Sequence, residues 1–297
     1  MISTGASVAA GAGRAAGERF ARVDTVHDAG GPAANEDWLH VGDGVAWVLD
    51  GATGLAGERL FGEGASDAEL FARLVSDELQ ASLAPERSLA AGVETALAAV
   101  ARRLFPAGPP DDRILLPTAA IALLRWRPER LELYLLGDCQ ALVGAGDRLL
   151  LSLADDRPRR FDAAAIRALQ ERLAAGESFA AARAAVDGLL VEHRRLANTP
   201  DGYWILGADP RAARHGLSLA LDNPPPAPRL LLMTDGFAAL LEYGGGGPQE
   251  LLREAAAGGL APALRRLRET ERADPETRRH PRLKPGDDAT AVYLEVP

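Results

Sequence analysis

VAWVLDGATG, residues 45–54, runs a short apolar stretch straight into an acid flanked by glycine. Four apolar residues, Ala46, Trp47, Val48 and Leu49, are too few for a helix face and suit a central strand, while Gly51 and Gly54 permit a sharp exit. The reading puts Asp50 at the end of a buried strand, desolvated on one side. A lone Asp-Gly would be a turn or a helix cap, but here the pattern recurs. LLLMTDG (230–236) ends in Asp235-Gly236, and LYLLGD (133–138) ends in Asp138. Gly286-Asp287-Asp288 precedes ATAVYLEV, and Asn35-Glu36-Asp37 precedes Trp38-Leu39. Loop solvation does not call for acids at strand termini over most of a chain. Carboxylates that converge need a counter-charge, and a hard divalent cation with oxygen ligands supplies it.

The rest of the chain reads as alternating blocks. A first strand is expected over 18–27, where Phe20, Val23 and Val26 alternate loosely, followed by the turn-rich loop DAGGPAANED. Helices are expected over 57–83, with a start broken at Gly62-Glu63-Gly64, and over 88–105. Segments 116–126, 130–136 and 141–151 read as an antiparallel meander joined by the turns RPER and GAGD, which favours a sandwich over a parallel sheet. Helices follow over 161–173 and 178–196, then a turn and an aromatic strand over 198–207 and a strand over 215–221. After the NPPPAP connector and the Asp235 strand come a short helix (237–243), a breaker (244–247), helices over 248–256 and 260–273, and a charged, proline-rich loop (274–286). No internal repeat or linker is visible. The expectation is a flexible lead-in over 1–17 and a single domain over 18–297.

Composition narrows the function. The chain has 297 residues, 47% of them hydrophobic, ample for a core. Forty-two acidic against 33 basic residues give a net charge of −9, which argues against nucleic acid as the main partner. The single cysteine, Cys139, excludes an internal disulfide and points to a reducing, cytoplasmic setting. It reads as a small strand residue, because a nucleophile would need a paired base. No run approaches the roughly 18 apolar residues of a membrane span, so no membrane partner is expected. The five histidines, His27, His40, His193, His215 and His280, are too scattered for a zinc site.

In their order, NED, VLDG, the TAAIALL strand, LLGD, LLLMTDG and DDATAVYLEV resemble the metal-dependent serine/threonine protein phosphatases of the PP2C type (the PPM family) in their bacterial form, over about residues 23–296. The resemblance implies an α+β fold, a four-layer α-β-β-α sandwich of two antiparallel sheets flanked by helices, with two Mn²⁺ or Mg²⁺ ions at one edge. It implies that Asp50 bridges both ions, that Glu36 and the Gly51 carbonyl serve one and Asp235 and Asp287 the other. Asp37 would stand behind them, and Asp138 would hold a weaker third ion. The substrate implied is a phosphorylated protein, the product of a serine/threonine kinase. His193, Arg194, Arg195 and Tyr203 fall where such phosphatases carry a variable flap, and are candidates to touch substrate. A basic helix end that complements the helix dipole is the competing reading.

A water activated between two cations requires no protein nucleophile. Three positions depart from the family pattern. Ala52 follows Gly51 where a histidine is common, Ala239 stands where an aspartate is common, and Pro32 lies near the usual place of a phosphate-binding arginine, for which Arg22, Arg194 and Arg195 are the candidate substitutes. Two alternatives therefore stand beside the protein phosphatase: a regulatory binding protein of the same fold, and a phosphatase of small phosphorylated molecules.

Overall fold

The uninterrupted apolar runs are strands covered on both faces. The computed structural model describes residues 20–244 and 246–297; the lead-in expected over 1–17 lies outside them. The first part of the chain forms β1 (Arg22–Asp28), β2 (Trp38–Val41), β3 (Val45–Ala52), α1 (Asp67–Ser82) and α2 (Leu89–Leu104). The middle forms β4 (Thr118–Arg127), β5 (Arg130–Leu136), β6 (Gln140–Ala145), β7 (Arg148–Ala154), α3 (Asp156–Ala174), α4 (Phe179–Ala185) and α5 (Asp187–Arg195). The last part forms β8 (Leu217–Asp222), β9 (Pro228–Met233), α6 (Asp235–Ala238), α7 (Pro248–Gly258), α8 (Ala261–Ala273) and β10 (Ala289–Glu295).

Two five-stranded antiparallel sheets result, in the orders β1-β10-β9-β6-β7 and β2-β3-β4-β5-β8. Side chains alternate across a strand, and here each parity has its own core. In β3, Trp47 and Leu49 pack outward under α1 and α2 with Leu70, Phe71, Leu74, Val93 and Leu97. Ala46 and Val48 face inward, against Val143, Leu230, Leu232, Val292 and Leu294 of the other sheet. The outer face of that second sheet buries Leu231, Met233, Ala291 and Tyr293 beneath Leu251, Leu252, Ala255 and Leu267 of α7 and α8. The α-β-β-α layering expected from the sequence is what forms. Small residues (Ala46, Ala120, Ala122, Ala141) between the sheets let them approach closely. One buried polar contact, Trp47 Nε1 to Ser76 Oγ at 3.0 Å, keys α1 to β3.

Several expected elements differ. The meander is two hairpins in different sheets, since β5 pairs with β4 and β8 while β6 pairs with β7 and β9, so the chain changes sheet at Gly137-Asp138. The helix expected from 57 begins at Asp67, where Ser66 accepts a hydrogen bond from the Glu69 amide and caps it. The helix expected over 178–196 is two helices, α4 and α5, broken at Val186. The aromatic strand expected over 198–207 is irregular; it makes only the isolated bridges Ala119–Leu206 and Ala197–Tyr203. Helices α3 to α5 carry a small apolar cluster of their own, Leu169, Leu173, Ala182 and Val186, against which Leu283 of the C-terminal loop packs. Among the described residues no helix is long and apolar enough to cross a membrane.

Candidate metal centre

Antiparallel register decides which strand ends meet. Trp38 faces Leu49, Leu49 faces Ile121, and Ile121 faces Leu136. In the other sheet Asp28 faces Ala289, Ala291 faces Met233, and Met233 faces Gln140. Glu36-Asp37, Asp50, Asp138, Asp235 and Asp287-Asp288 therefore share one end of the sandwich, although up to 252 residues separate Glu36 from Asp288. Asp50 lies inside β3 rather than beyond it, with its backbone opposite Ala120.

Contacts between the two sheets hold this end together. The Asp235 amide donates to Asp50 Oδ2 at 3.3 Å, and Thr234 Oγ1 donates to Asp37 Oδ2 at 3.0 Å. Asp288 ties the β1–β2 loop to β10 by accepting from the Gly30 amide at 3.0 Å and the Glu36 amide at 2.8 Å. Arg268 on α8 donates to the Asp287 carbonyl at 2.8 Å and pairs with Asp28 and Glu271, both at 2.7 Å. The two Asp-Gly glycines are close-approach positions. A Cβ on Gly51 would run into the Glu36 carbonyl, and one on Gly236 into the Asp288 carbonyl.

The acids repel one another in thinned solvent. Burial pushes the Asp50 carboxyl well above the usual carboxylate range, with Asp235, Asp37 and Asp138 adding to the push. Burial likewise raises Asp138, helped by Asp235 and Asp162, and raises Asp235, helped by Asp287. Asp37 is fully buried and is pushed to about 8, chiefly by burial, against the pull of hydrogen bonds from Thr290 and Thr234. Solvent still reaches the hollow, because Asp235 is exposed and Asp50 and Asp138 are half-buried. Protein packed around these groups strips part of their hydration without closing the space.

This arrangement is short of positive charge, and the donor set fits a hard cation. All the donors are oxygens, as Mg²⁺ and Mn²⁺ require. Among the described residues no three His, Cys, Asp or Glu side chains stand close enough together to enclose an ion by themselves. An ion here would keep much of its shell as water, which is the usual habit of Mg²⁺. Zinc does not fit. Cys139 is fully buried with its thiol pushed up by burial, four of the five histidines lie against aromatic rings, and His27 is hydrogen-bonded to Thr290 Oγ1 at 3.0 Å. His40 stacks on Trp47 at 4.2 Å, His215 on Trp204 at 3.4 Å, and His193 meets Phe161 at 5.1 Å.

The structure sorts the remaining candidates. The Glu36 side chain turns to Thr53, which donates to it through both its hydroxyl and its amide. Arg194 reaches in from α5 and is buried, donating to Thr118 Oγ1 at 2.6 Å and to the Thr53 carbonyl at 3.2 Å. Tyr203 lies where the charges of Arg194, Asp162 and Asp138 act on it. Arg22 does not join the site. It starts β1 opposite Glu295, at the far end of a seven-residue strand, and donates to the Ala256 carbonyl at 2.6 Å. That is about 20 Å from the acid end. Arg195 points outward to pair with Asp112 at 3.3 Å. His193 packs on Phe161, and its Nδ1 has no hydrogen-bond partner.

Two residues were missed from sequence. Asp162 on α3 joins the cluster and is raised to about 7, first by burial and then by Asp235, with Arg194, Lys284 and Arg159 opposing. Lys284 brings its ammonium 2.7 Å from Asp287 Oδ1. No spacing rule marks Asp162 within an Arg-rich helix. For Lys284 the sole signal was its place three residues before the acid pair.

No protein-family model matches the chain, and no curated protein does. Solved structures do. The serine/threonine phosphatase PstP/Ppp of Mycobacterium tuberculosis is 18% identical, with 93% of this chain and 98% of that chain covered and a TM-score of 0.54. The fold is that of the PP2C-type phosphatases. The serine/threonine phosphatase of S. agalactiae, 13% identical, also superposes with a TM-score of 0.54 over 93% of this chain and 99% of that one. A catalytic domain of PstP in complex with 2 manganese ions matches at 18% identity, 93% and 98% coverage and a TM-score of 0.53.

Proposed function

We propose that the chain is a metal-dependent phosphatase that hydrolyses phosphoserine and phosphothreonine on proteins. The observation that supports this most is the gathering of Asp50, Asp235, Asp287, Asp138 and Asp37 at one end of two sheets, with too little positive charge to balance them and with the carboxyls of Asp50, Asp235, Asp138 and Asp37 raised. The fold adds weight, because the PstP catalytic domain that shares it is described with two manganese ions. Two Mn²⁺ or Mg²⁺ ions bound here would supply an activated water and offset charge on the phosphoryl oxygens.

The chain's own residues divide the work. Asp50, on the β3 face between the sheets, would hold the ions together with Asp235, Asp287, Glu36 and the Gly51 carbonyl. Glu36 would have to release Thr53 to serve, a rotation within the reach of one side chain. Asp37 and Thr234 hold the two loops at fixed spacing, and Asp138 with Asp162 is suited to a further, weaker ion. Arg194 fixes the Thr53 carbonyl and Thr118, and so the floor beside Glu36. A serine/threonine kinase as the enzyme that creates the substrate, and a cytoplasmic location, belong to the same reading.

The departure at Ala52 favours one competing reading, a binding module of this fold with little turnover. Mn²⁺-dependent hydrolysis of an aryl phosphate separates the two. Turnover that a chelator abolishes and Mn²⁺ restores supports the phosphatase, and its absence from metal-loaded protein refutes it. A phosphopeptide panel run against small phosphate esters then separates protein substrates from small ones.

A further inference from the structure

The geometry points to Lys284 as the residue that holds the substrate phosphate, an inference that rests on the phosphatase reading above. The cations whose charge acts most on Asp162 are Arg194, Lys284 and Arg159. Two are committed elsewhere. Arg194 is buried and donates to Thr118 and the Thr53 carbonyl, and Arg159 pairs with Glu242. The arginines at 22 and 195 face away. Lys284 spends one donor on Asp287 Oδ1 at 2.7 Å, and its side chain is 63% exposed, so a substrate can reach it. An ammonium has three donors and acts on phosphate as a point charge.

Its loop is built to hold it there. Arg282, two residues before, donates to the carbonyls of Asp274 (2.6 Å), His280 (2.7 Å) and Pro285 (2.9 Å) and pairs with Asp274 at 3.1 Å. On the other side Arg268 grips the Asp287 carbonyl at 2.8 Å. Lys284 therefore hangs between two clamped points at the mouth of the hollow. A positive charge in that place has two opposite consequences. It repels a divalent cation bound at Asp287 and attracts the phosphate that the cation also attracts. A purely structural lysine would give one sign for both.

The test uses the full chain with Lys284→Met, which keeps the length of the side chain, and Lys284→Arg, which keeps the charge. Mn²⁺ affinity is measured by calorimetry without phosphate, and KM for an aryl phosphate is measured alongside inhibition by inorganic phosphate. Lys284→Met should bind Mn²⁺ at least as tightly as the wild type. Its KM and its phosphate inhibition constant should both rise roughly tenfold or more, the loss expected for one charge-assisted hydrogen bond, with kcat changed much less. Lys284→Arg should restore most of the loss. Unchanged KM and phosphate inhibition overturn the inference, as does a Mn²⁺ affinity that falls together with phosphate affinity. A wild-type protein that binds Mn²⁺ but hydrolyses nothing overturns the phosphatase reading alone, and Lys284 is then judged by calorimetric phosphate binding to the Mn²⁺-loaded proteins. A wild-type protein that binds no Mn²⁺ overturns both.

Discussion

Replacing Asp50 by asparagine should stabilise the metal-free protein and destabilise the metal-loaded one relative to wild type. Burial pushes the Asp50 carboxyl well above the usual carboxylate range, and crowding by Asp235, Asp37 and Asp138 adds to the push. Keeping a carboxyl protonated at pH 7 when it would ionise freely in the unfolded chain costs about 1.4 kcal/mol per pH unit above its normal value, so about 4 kcal/mol at most for an aspartate. Solvent half-reaches Asp50, and screening there leaves a realistic gain of about 1–2 kcal/mol for Asp50→Asn. The amide oxygen can still accept from the Asp235 amide, so the backbone contact at 3.3 Å survives. For a domain of this size the melting temperature in chelator should rise by about 2–4 °C. In Mn²⁺ at a hundred times the dissociation constant the wild type gains about 2.7 kcal/mol per site, and the variant loses at least one site. The order of the two melting curves should therefore reverse between chelator and Mn²⁺, read by calorimetry or circular dichroism. A variant that melts below wild type in chelator, or gains as much from Mn²⁺, would refute both the crowding argument and the ligand assignment.

The metal-free protein should also lose stability as pH rises. Asp37 is raised to about 8 and Asp162 to about 7, so between the unfolded value near 4 and these values the folded state binds more protons than the unfolded one. Their contribution is complete below about pH 4 and is lost progressively up to about pH 8. Melting temperatures in chelator should fall from pH 5 to pH 8, and a flat or rising trend would count against the cluster. Ala52 ends β3 opposite Thr118 and carries no proton to give. General acid catalysis contributes roughly 10²–10⁴-fold where the leaving alcohol is basic, so aryl phosphate turnover should far exceed phosphoserine turnover. Ala52→His should raise the phosphoserine rate selectively. Equal native rates with a bell-shaped pH profile would mean that another residue donates, with His27 the first to replace.

Much of the fold was legible in the chain because both sheets are covered on both faces. Runs such as residues 45–49 and 230–233 are apolar without alternation, and each ends where the backbone must turn, at an acid and a glycine. The order of these acids along the chain carried the architecture and most of the proposed ligands. The boundaries that local pattern misread lie where tertiary contacts overrule propensity. Tyr203-Trp204 looks like a strand, but no sheet edge accepts it beyond single bridges, and Trp204 instead stacks on His215.

Which cations reach the acids was decided only by the tertiary structure. Arg22 and Arg194 are equivalent as letters, yet antiparallel register puts Arg22 at the far end of its sheet beside Glu295, while Arg194 in the last turn of α5 reaches inward to Thr118. Asp162 and Lys284 come together with residues far away in the chain because α3 and the C-terminal loop pack against each other, with Arg278 donating to the Leu173 carbonyl at 2.7 Å. Burial of a strand is written in its own side chains, since each contributes its apolar surface wherever its partner comes from. The electrostatics of a site is a sum over distances, and those distances exist only once the chain has folded.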